Sequence, residues 1–459
     1  MNILCLCRPV IFDGDEDDIH LVGGNGWHRE RWWYKLAHVC QRWRTLTLGS
    51  ASYLRLCLLY TCGTPVADML AHSPPFPLVI DYRDESCDIT VDDEEGILLA
   101  LEQRDRVRRI RLCTPAPKLQ KIITAIDGEY PVLEYLIVVP FTDDRSATLM
   151  FPETLRAPHL RHLLLEGCAL PIGSRLLTTA MNLVTLVLSV GHISIYVQPN
   201  VLPQWVSSMP RLETLVILFT FLVPNHDVER QLTDTPITAH VALPNLRWLE
   251  FQGVSTYMEA VVGRITAPRL EKLIIRFFKQ LTFSVPRLLQ VMHTTENIKF
   301  DSVLFQFSSR QVHVGFFLRG EAAGTYSLTI YVDCWQLDWQ VPSVAQIFNS
   351  PGQIFSTVEH LALEHEVNSQ SDEPNEVDRT EWRKLLRSFS NVKTLRVDDG
   401  LVKELSRSLR VDDGEPPLEL LPELQELTYS GSDDADGAFK SFVDARQNAG
   451  RPVVLIRRD

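Results

Sequence analysis

Leu160-Arg-His-Leu163-Leu-Leu165, Leu183-Val-Thr-Leu186-Val-Leu188, Leu212-Glu-Thr-Leu215-Val-Ile217, Leu246-Arg-Trp-Leu249-Glu-Phe251 and Leu270-Glu-Lys-Leu273-Ile-Ile275 are copies of one phrase. An apolar residue, two variable ones, an apolar residue, one variable one and another apolar residue recur twelve times between Val107 and Tyr429. In the copies that open at Thr295 and Thr325 a threonine takes the first apolar place. The central apolar residues run from Ile110 and Leu136 to Leu395 and Leu427, at intervals of 23 to 34 residues. A unit of this size cannot bury its apolar edge alone and has to stack on its neighbours.

The period overlaps the roughly 20–29 residues of leucine-rich repeats and exceeds it at its long end. The inner L-x-L of each phrase alternates with period two, as a half-buried strand does. Helix-like stretches lie between the phrases, at residues 201–208, 285–294, 342–349, 381–390, 401–409 and 437–448. Six phrases carry a proline two residues ahead of their first apolar position: Pro131, Pro158, Pro210, Pro244, Pro268 and Pro422. Proline ends a helix and biases its neighbours to extended backbone, so it marks the switch from helix to strand. The expected fold class is therefore α/β: a leucine-rich-repeat solenoid, a horseshoe with parallel strands on its concave face and helices outside. Residues 452–456 supply a closing strand, and 101–459 form the irregular repeat region. Residues 1–30 read as an irregular acidic and glycine-rich start, and 31–100 as a mostly helical segment with a linker.

The rest of the composition narrows the function classes. Apolar residues at 45% and charged residues at 22% describe a folded chain with ample core-forming material. No run approaches the roughly 18 apolar residues of a membrane-spanning helix, and the short apolar start does not read as a signal peptide. A net charge of −13 speaks against nucleic acid or an anionic membrane as partner. Arg104, Arg106, Arg108, Arg109 and Arg111 read as a solvated helix end running into a strand. Nine scattered cysteines and no Asn-x-Ser/Thr acceptor fit a reducing, intracellular compartment.

Ahead of the repeats, residues 31–48 have the period of one amphipathic helix: Trp32 or Trp33, Leu36, Val39 or Cys40, Trp43 and Leu46. Leu36-Ala-His-Val39-Cys40-Gln-Arg-Trp43-Arg44 resembles the L-x-x-V-C-x-x-W-R core of the F-box. Cys62-Gly-Thr-Pro-Val66 and Pro74-Pro-Phe-Pro-Leu-Val-Ile-Asp-Tyr82 resemble segments that follow it in fungal F-box proteins of basidiomycete type, many of which continue into leucine-rich repeats. The resemblance implies a substrate-recognition subunit of an SCF-type cullin-RING ubiquitin ligase, with a Skp-family adaptor and cullin complex and a target protein as partners. The Leu-Pro-x-Glu phrase with which the family docks its adaptor does not occur in residues 1–12. The implied adaptor contacts therefore fall on Leu36, Val39, Cys40, Trp43 and Arg44. The alternative is a leucine-rich-repeat scaffold whose degenerate F-box serves as a cap.

No motif supports catalysis, a metal or a cofactor. Asp13-x-Asp15-x-Asp17 opens like a calcium loop, but Asp18 stands where glycine is required and Gly24 where glutamate is. His360, Glu364, His365 and Glu366 are not in H-E-x-x-H order, and there is no G-x-S-x-G or Walker phrase. The repeats instead predict a binding face, because residues flanking the inner leucines point away from the core. Trp248, Glu250, Lys272, Arg276, His360 and Arg396 are its candidate partner-binding residues, since aromatics and arginine are enriched at interface hot spots.

Overall fold

The computed structural model describes residues 32–50, 56–82, 89–140, 148–171, 173–191, 197–220, 240–320, 326–349, 355–366, 377–411, 416, 418–430 and 437–458. The acidic start and Thr325 lie outside these residues. The chain forms two units, residues 1–185 and 186–459.

In the first unit five strands pair in parallel, in chain order: β1 (Leu58–Tyr60), β2 (Leu78–Tyr82), β3 (Val107–Thr114), β4 (Tyr135–Pro140) and β6 (His162–Glu166). The register sets Ile80, Ile110, Leu136 and Leu163 side by side. A small parallel pair, β5 (Leu149–Met150) and β7 (Cys168–Ala169), stands apart. The segment expected to be mostly helical thus contributes two strands. Its runs Leu58-Leu-Tyr60 and Leu78-Val-Ile80 are buried on both faces, so they carry no period-two signal. Helices Val66–His72 and Val91–Glu102 follow them. Thr90 and Asp93 form a capping box, and Asp93 Oδ1 also accepts from Gly63 N at 2.7 Å, which ties the Cys62-Gly-Thr-Pro turn to that helix.

Where one amphipathic helix was expected over 31–48, there are two, Trp32–Ala37 and Gln41–Gly49. Cys40 between them is extended (φ −164°, ψ 171°). Arg44 Nε donates to Ala37 O at 3.0 Å, giving a partner to one of the carbonyls that every helix end leaves over. The break lets Trp33 turn inward: it is buried, donates from Nε1 to Cys57 O at 3.2 Å and meets Phe76 edge to face.

The second unit has β8 (Thr185–Val190, whose first residue ends the first unit), β9 (Thr214–Phe219), β11 (Trp248–Gly253), β13 (Lys272–Phe277), β14 (Ser302–Phe307), β15 (Gln311–Phe317), β16 (Leu328–Asp333), β17 (His360–His365), β18 (Thr394–Val397), β19 (Glu426–Ser430) and β20 (Val454–Arg458). The two-residue strands β10 (Val241–Ala242) and β12 (Ile265–Thr266) pair separately. Strand, helix and strand alternate here as in leucine-rich repeats, and the expected closing strand is β20. Residues Leu215, Leu249, Leu273 and Leu328 share one rung, and Leu361, Leu395, Leu427 and Leu455 another. All but the last of these are buried, each contributing about 1.5–3 kcal/mol. Aromatics of the helices and of the turn after the helix Arg379–Arg387 complete the core: Tyr257 stacks on Phe251, and Phe348 and Phe389 meet Phe305 edge to face.

One stretch departs from the all-parallel expectation. The sheet order is β13-β16-β15-β14-β17, with β16–β15 and β15–β14 antiparallel. The phrase centred on Ile298 is no strand: Ile298 and Phe300 precede β14 and are buried. Val303-Leu-Phe305-Gln-Phe307 and Val312-His-Val314-Gly-Phe316 alternate with period two around the short Ser308-Ser-Arg310 turn. That pattern makes a local hairpin, which needs no helical crossover.

The six prolines sit at the second position of tight turns. The amide three residues after each turn's first residue closes the turn, as in Leu160 N to Ala157 O at 3.1 Å and Leu270 N to Ala267 O at 3.2 Å. Just ahead of the strand, an asparagine repeatedly reaches back one unit. Asn182, Asn245, Asn297 and Asn391 donate from Nδ2 to Pro158, Pro210, Pro268 and Ser356 carbonyls at 3.0, 2.9, 3.3 and 2.7 Å. The first variable position of the phrase alternates in charge between neighbours. Arg108 pairs with Glu134 at 2.9 Å, Arg247 with Glu271 at 3.7 Å and Lys393 with Glu359 at 2.6 Å.

Candidate functional site

Helices cover the strand side that carries the leucines, so the other side of each sheet presents the alternate residues. In the first unit this side bears a stack in register: Arg109 Cζ lies 4.5 Å from the Tyr135 ring centroid, and Tyr135 stacks on His162 at 4.4 Å. His162 Nδ1 lies 3.2 Å from Thr185 Oγ1. Burial, with Arg161 and Arg109 nearby, pushes the imidazole down to about 4, so it is neutral at physiological pH. His162 and Thr185 at one end of this stack are buried, and Arg109 and Tyr135 are half-buried.

In the second unit the corresponding side is more open, and four of the residues singled out from sequence meet there. Trp248 and Lys272 are cross-strand neighbours on β11 and β13, with Lys272 Nζ 4.0 Å from the indole centroid. Arg276, also on β13, lies over Tyr331 of β16 at 4.5 Å. Arg276 Nη1 donates to Gln311 Oε1 at 3.2 Å and stands 3.9 Å from Asp333 Oδ1. His313 stacks on Tyr331 at 4.9 Å, and its Nδ1 lies 3.4 Å from Gln306 Oε1. Burial pushes the carboxyls of Glu250 and Asp333 up, with Arg276 opposing in both cases. Burial likewise pushes His313 down. The result is a platform of planar groups in which cations rest on aromatic faces.

His360 and Arg396 stand elsewhere. They lie on β17 and β18, separated from β13 by the three strands of the meander, roughly 20 Å away at about 4.8 Å per strand. His360 Nδ1 lies 2.7 Å from Thr394 Oγ1, Arg319 Nη1 lies 3.2 Å from His360 Nε2, and Arg396 Nη2 is 3.7 Å from Glu364 Oε1. The six residues therefore make two groups rather than one patch. His313, Gln306, Lys279 and Trp339 were not among the candidates, although the alternation of 312–316 could have placed His313 on the face. Among the described residues, no group of three or more His, Cys, Asp or Glu is placed to hold a metal ion. No described helix is long and apolar enough to cross a membrane.

In the head, Leu36 and Trp43 are half-buried, and Cys40 and Arg44 are exposed. Val39 is 62% exposed and Leu46 49%.

No family model matches the chain. No curated protein matches it either. Among solved structures, it is similar to one titled "Crystal structure of TLR13-ssRNA13 complex", at 12% identity and a TM-score of 0.30. The match covers 87% of this chain and 53% of that one, so the chain spans about half the length of that protein.

Proposed function

We propose that the chain is a substrate-recognition subunit of an SCF-type cullin-RING ubiquitin ligase, acting inside the cell by proximity and without catalytic residues of its own. In this reading the head holds a Skp-family adaptor, which links it to the cullin, and the strand face of the repeats holds the target protein. The observation that carries it is the division of the F-box-like helices. Trp33 anchors them inward, while Val39 and Cys40 in the break between them and Leu46 on the second helix face solvent. Contiguous exposed apolar side chains mark protein contacts, and Val39 and Cys40 adjoin in the break. A pull-down of the full chain with a Skp-family adaptor tests it: wild type is retained, and Val39→Glu and Trp43→Ala are not. No association of wild type, with Trp43→Ala behaving the same, refutes the ligase role.

A second reading has its own support. The hydrogen bond from Trp33 to Cys57 and its contact with Phe76 are what a cap on the first strands requires. A scaffold of this kind keeps its target but binds no adaptor.

A further inference from the structure

We propose that β13 is a docking track for an acidic, extended segment of the target protein, with an apolar residue of that segment seated at the track's C-terminal end. This rests on the reading of the strand face as the target-binding surface, and not on the head. Three cations line the track, and each lies on an aromatic ring from a neighbouring element. Lys272 Nζ is 4.0 Å from the Trp248 centroid, Arg276 Cζ is 4.5 Å from Tyr331, and Lys279 Nζ is 4.7 Å from Trp339. From Lys272 to Lys279 an extended chain runs roughly 23 Å at about 3.3 Å per residue. A cation–π contact fixes an ammonium in place without neutralising it. Among the described residues, neither Lys272 nor Lys279 forms an ion pair with a carboxylate, and Arg276 shares one at 3.9 Å. Burial pushes the carboxyls of the nearby acids Glu250 and Asp333 up, opposed by Arg276 at both and also by Lys272 at Glu250.

The C-terminal end of the track is apolar and open. The loop after β13 and the segment after β16 run side by side, because Phe277 and Val332 are paired. They expose Leu281 (78%), Trp335 (71%) and Trp339 (41%). The loop is held in place: Phe283 N donates to Gln346 Oε1 at 2.9 Å, and Gln280 Oε1 accepts from Ser255 N and Oγ at 3.2 and 3.0 Å. An apolar patch of this kind beside fixed charges marks a protein contact.

Charge chooses the occupant. Three spaced cations match the carboxylates of a short acidic peptide in extended form. A long polyanion needs many cationic contacts, and the track offers three.

The full chain is titrated, with fluorescence anisotropy as readout, into four labelled probes: a peptide of alternating glutamate and serine ending in leucine, the same peptide ending in serine, the glutamine counterpart of the first, and a short oligothymidylate. The glutamate peptide binds, and added salt weakens it. The double variant Lys272→Gln/Lys279→Gln weakens it about tenfold, the loss of two cation contacts, with a melting temperature lowered by only a few degrees, roughly the loss of two exposed cation–π contacts. Lys403→Gln, an exposed lysine on another helix, binds as wild type. Trp339→Ala weakens the leucine-terminated peptide more than one ending in serine. Equal binding of the glutamine and glutamate peptides, or wild-type binding by the double variant, overturns the proposal. So does tighter binding of the oligothymidylate that is lost in the same variant, which assigns the track to nucleic acid. Adaptor pull-down is run on the same double variant. Peptide binding without adaptor binding ends the ligase reading and leaves the track intact.

Discussion

Arg446 gives the sharpest test of how the last repeat is held. Its side chain is fully buried on the helix Lys440–Asn448. It donates from Nη1 to Leu421 O and from Nη2 to Pro422 O and Leu424 O, each at 3.0 Å. Those carbonyls belong to the turn that leads into β19, where Leu421 has φ +48°, a conformation that non-glycine residues adopt at a cost. Hydrogen bonds from a charged donor are worth about 1.5–3 kcal/mol each, so three give roughly 5–9 kcal/mol gross. Keeping the ion out of water cancels several kcal/mol of that. Arg446→Met retains the apolar stem, removes the desolvation cost and leaves three carbonyls short of a donor. The net loss is about 3–5 kcal/mol, in the range found when one partner of a buried charged network is deleted. At about 2–4 °C per kcal/mol, the unit melts roughly 6–20 °C lower if it unfolds as one. Repeat stability is a sum of nearest-neighbour terms, so the loss is concentrated in residues 426–430 and 454–458. Hydrogen–deuterium exchange there rises while β11 and β13 stay protected. Arg446→Lys reaches fewer carbonyls and falls between. A melting point for Arg446→Met within about 1 °C of wild type, with exchange in 426–430 unchanged, refutes this account.

Three further outcomes follow from the same structure. Asn391→Ala removes one inter-repeat hydrogen bond and costs about 1 kcal/mol; Asn245→Ala removes two, the second accepted by its Oδ1 from Arg269 Nη1 at 3.1 Å, and costs more; the double variant costs their sum, since distant sites add, and a chemical denaturation series checks these values. His162 holds its proton only near pH 4 when folded, against about 6.5 unfolded; the unfolded chain is protonated first, so stability is complete above about pH 6.5 and falls toward pH 4. Between pH 7 and 5 this amounts to about 2 kcal/mol, and His162→Phe, which keeps the ring stack, shows a correspondingly smaller drop in urea midpoint. Trp33→Ala costs about 3–5 kcal/mol, seen as faster exchange over 32–49 and 56–60 with 426–430 unaffected.

The sequence carried the repeat directly. Leu163, Leu249, Leu273 and Leu427 lie in buried strand positions, and the helices at 286–294, 379–387 and 399–409 fall within a few residues of the periodic segments. What escaped it has identifiable causes. Strands β1 and β2 are buried on both sides, so their apolar runs could not be told from helix by period. The meander hid behind the threonine-opened phrases, because a search for one spacing passes over a hairpin built on plain alternation. The asparagine ladder stands just ahead of the strand and the charge ladder at the first variable position of the phrase, positions that look unconstrained until the units are stacked. In the candidate site, alternation put Trp248, Glu250, Lys272 and Arg276 on one face. It could not show that β13 neighbours β16 rather than β14, which brings Tyr331 and His313 beside Arg276 and removes His360.

The meander also bears on how the second unit can change over evolutionary time or in the hands of a protein engineer. In a uniform array any unit can be duplicated or deleted, since each end fits every other end. Here β13 meets β16 rather than β14 on the side away from β11, and β14 is joined to β17 on the side away from β15, so the chain between residues 302 and 333 acts as a keyed joint. Units on either side of it can be exchanged or lost while their neighbours remain paired. Removal of the joint leaves two sheet edges that were never selected to fit each other. Variation in repeat number is thus confined to the flanks, and the surface that carries β13 and β16 is inherited as one piece.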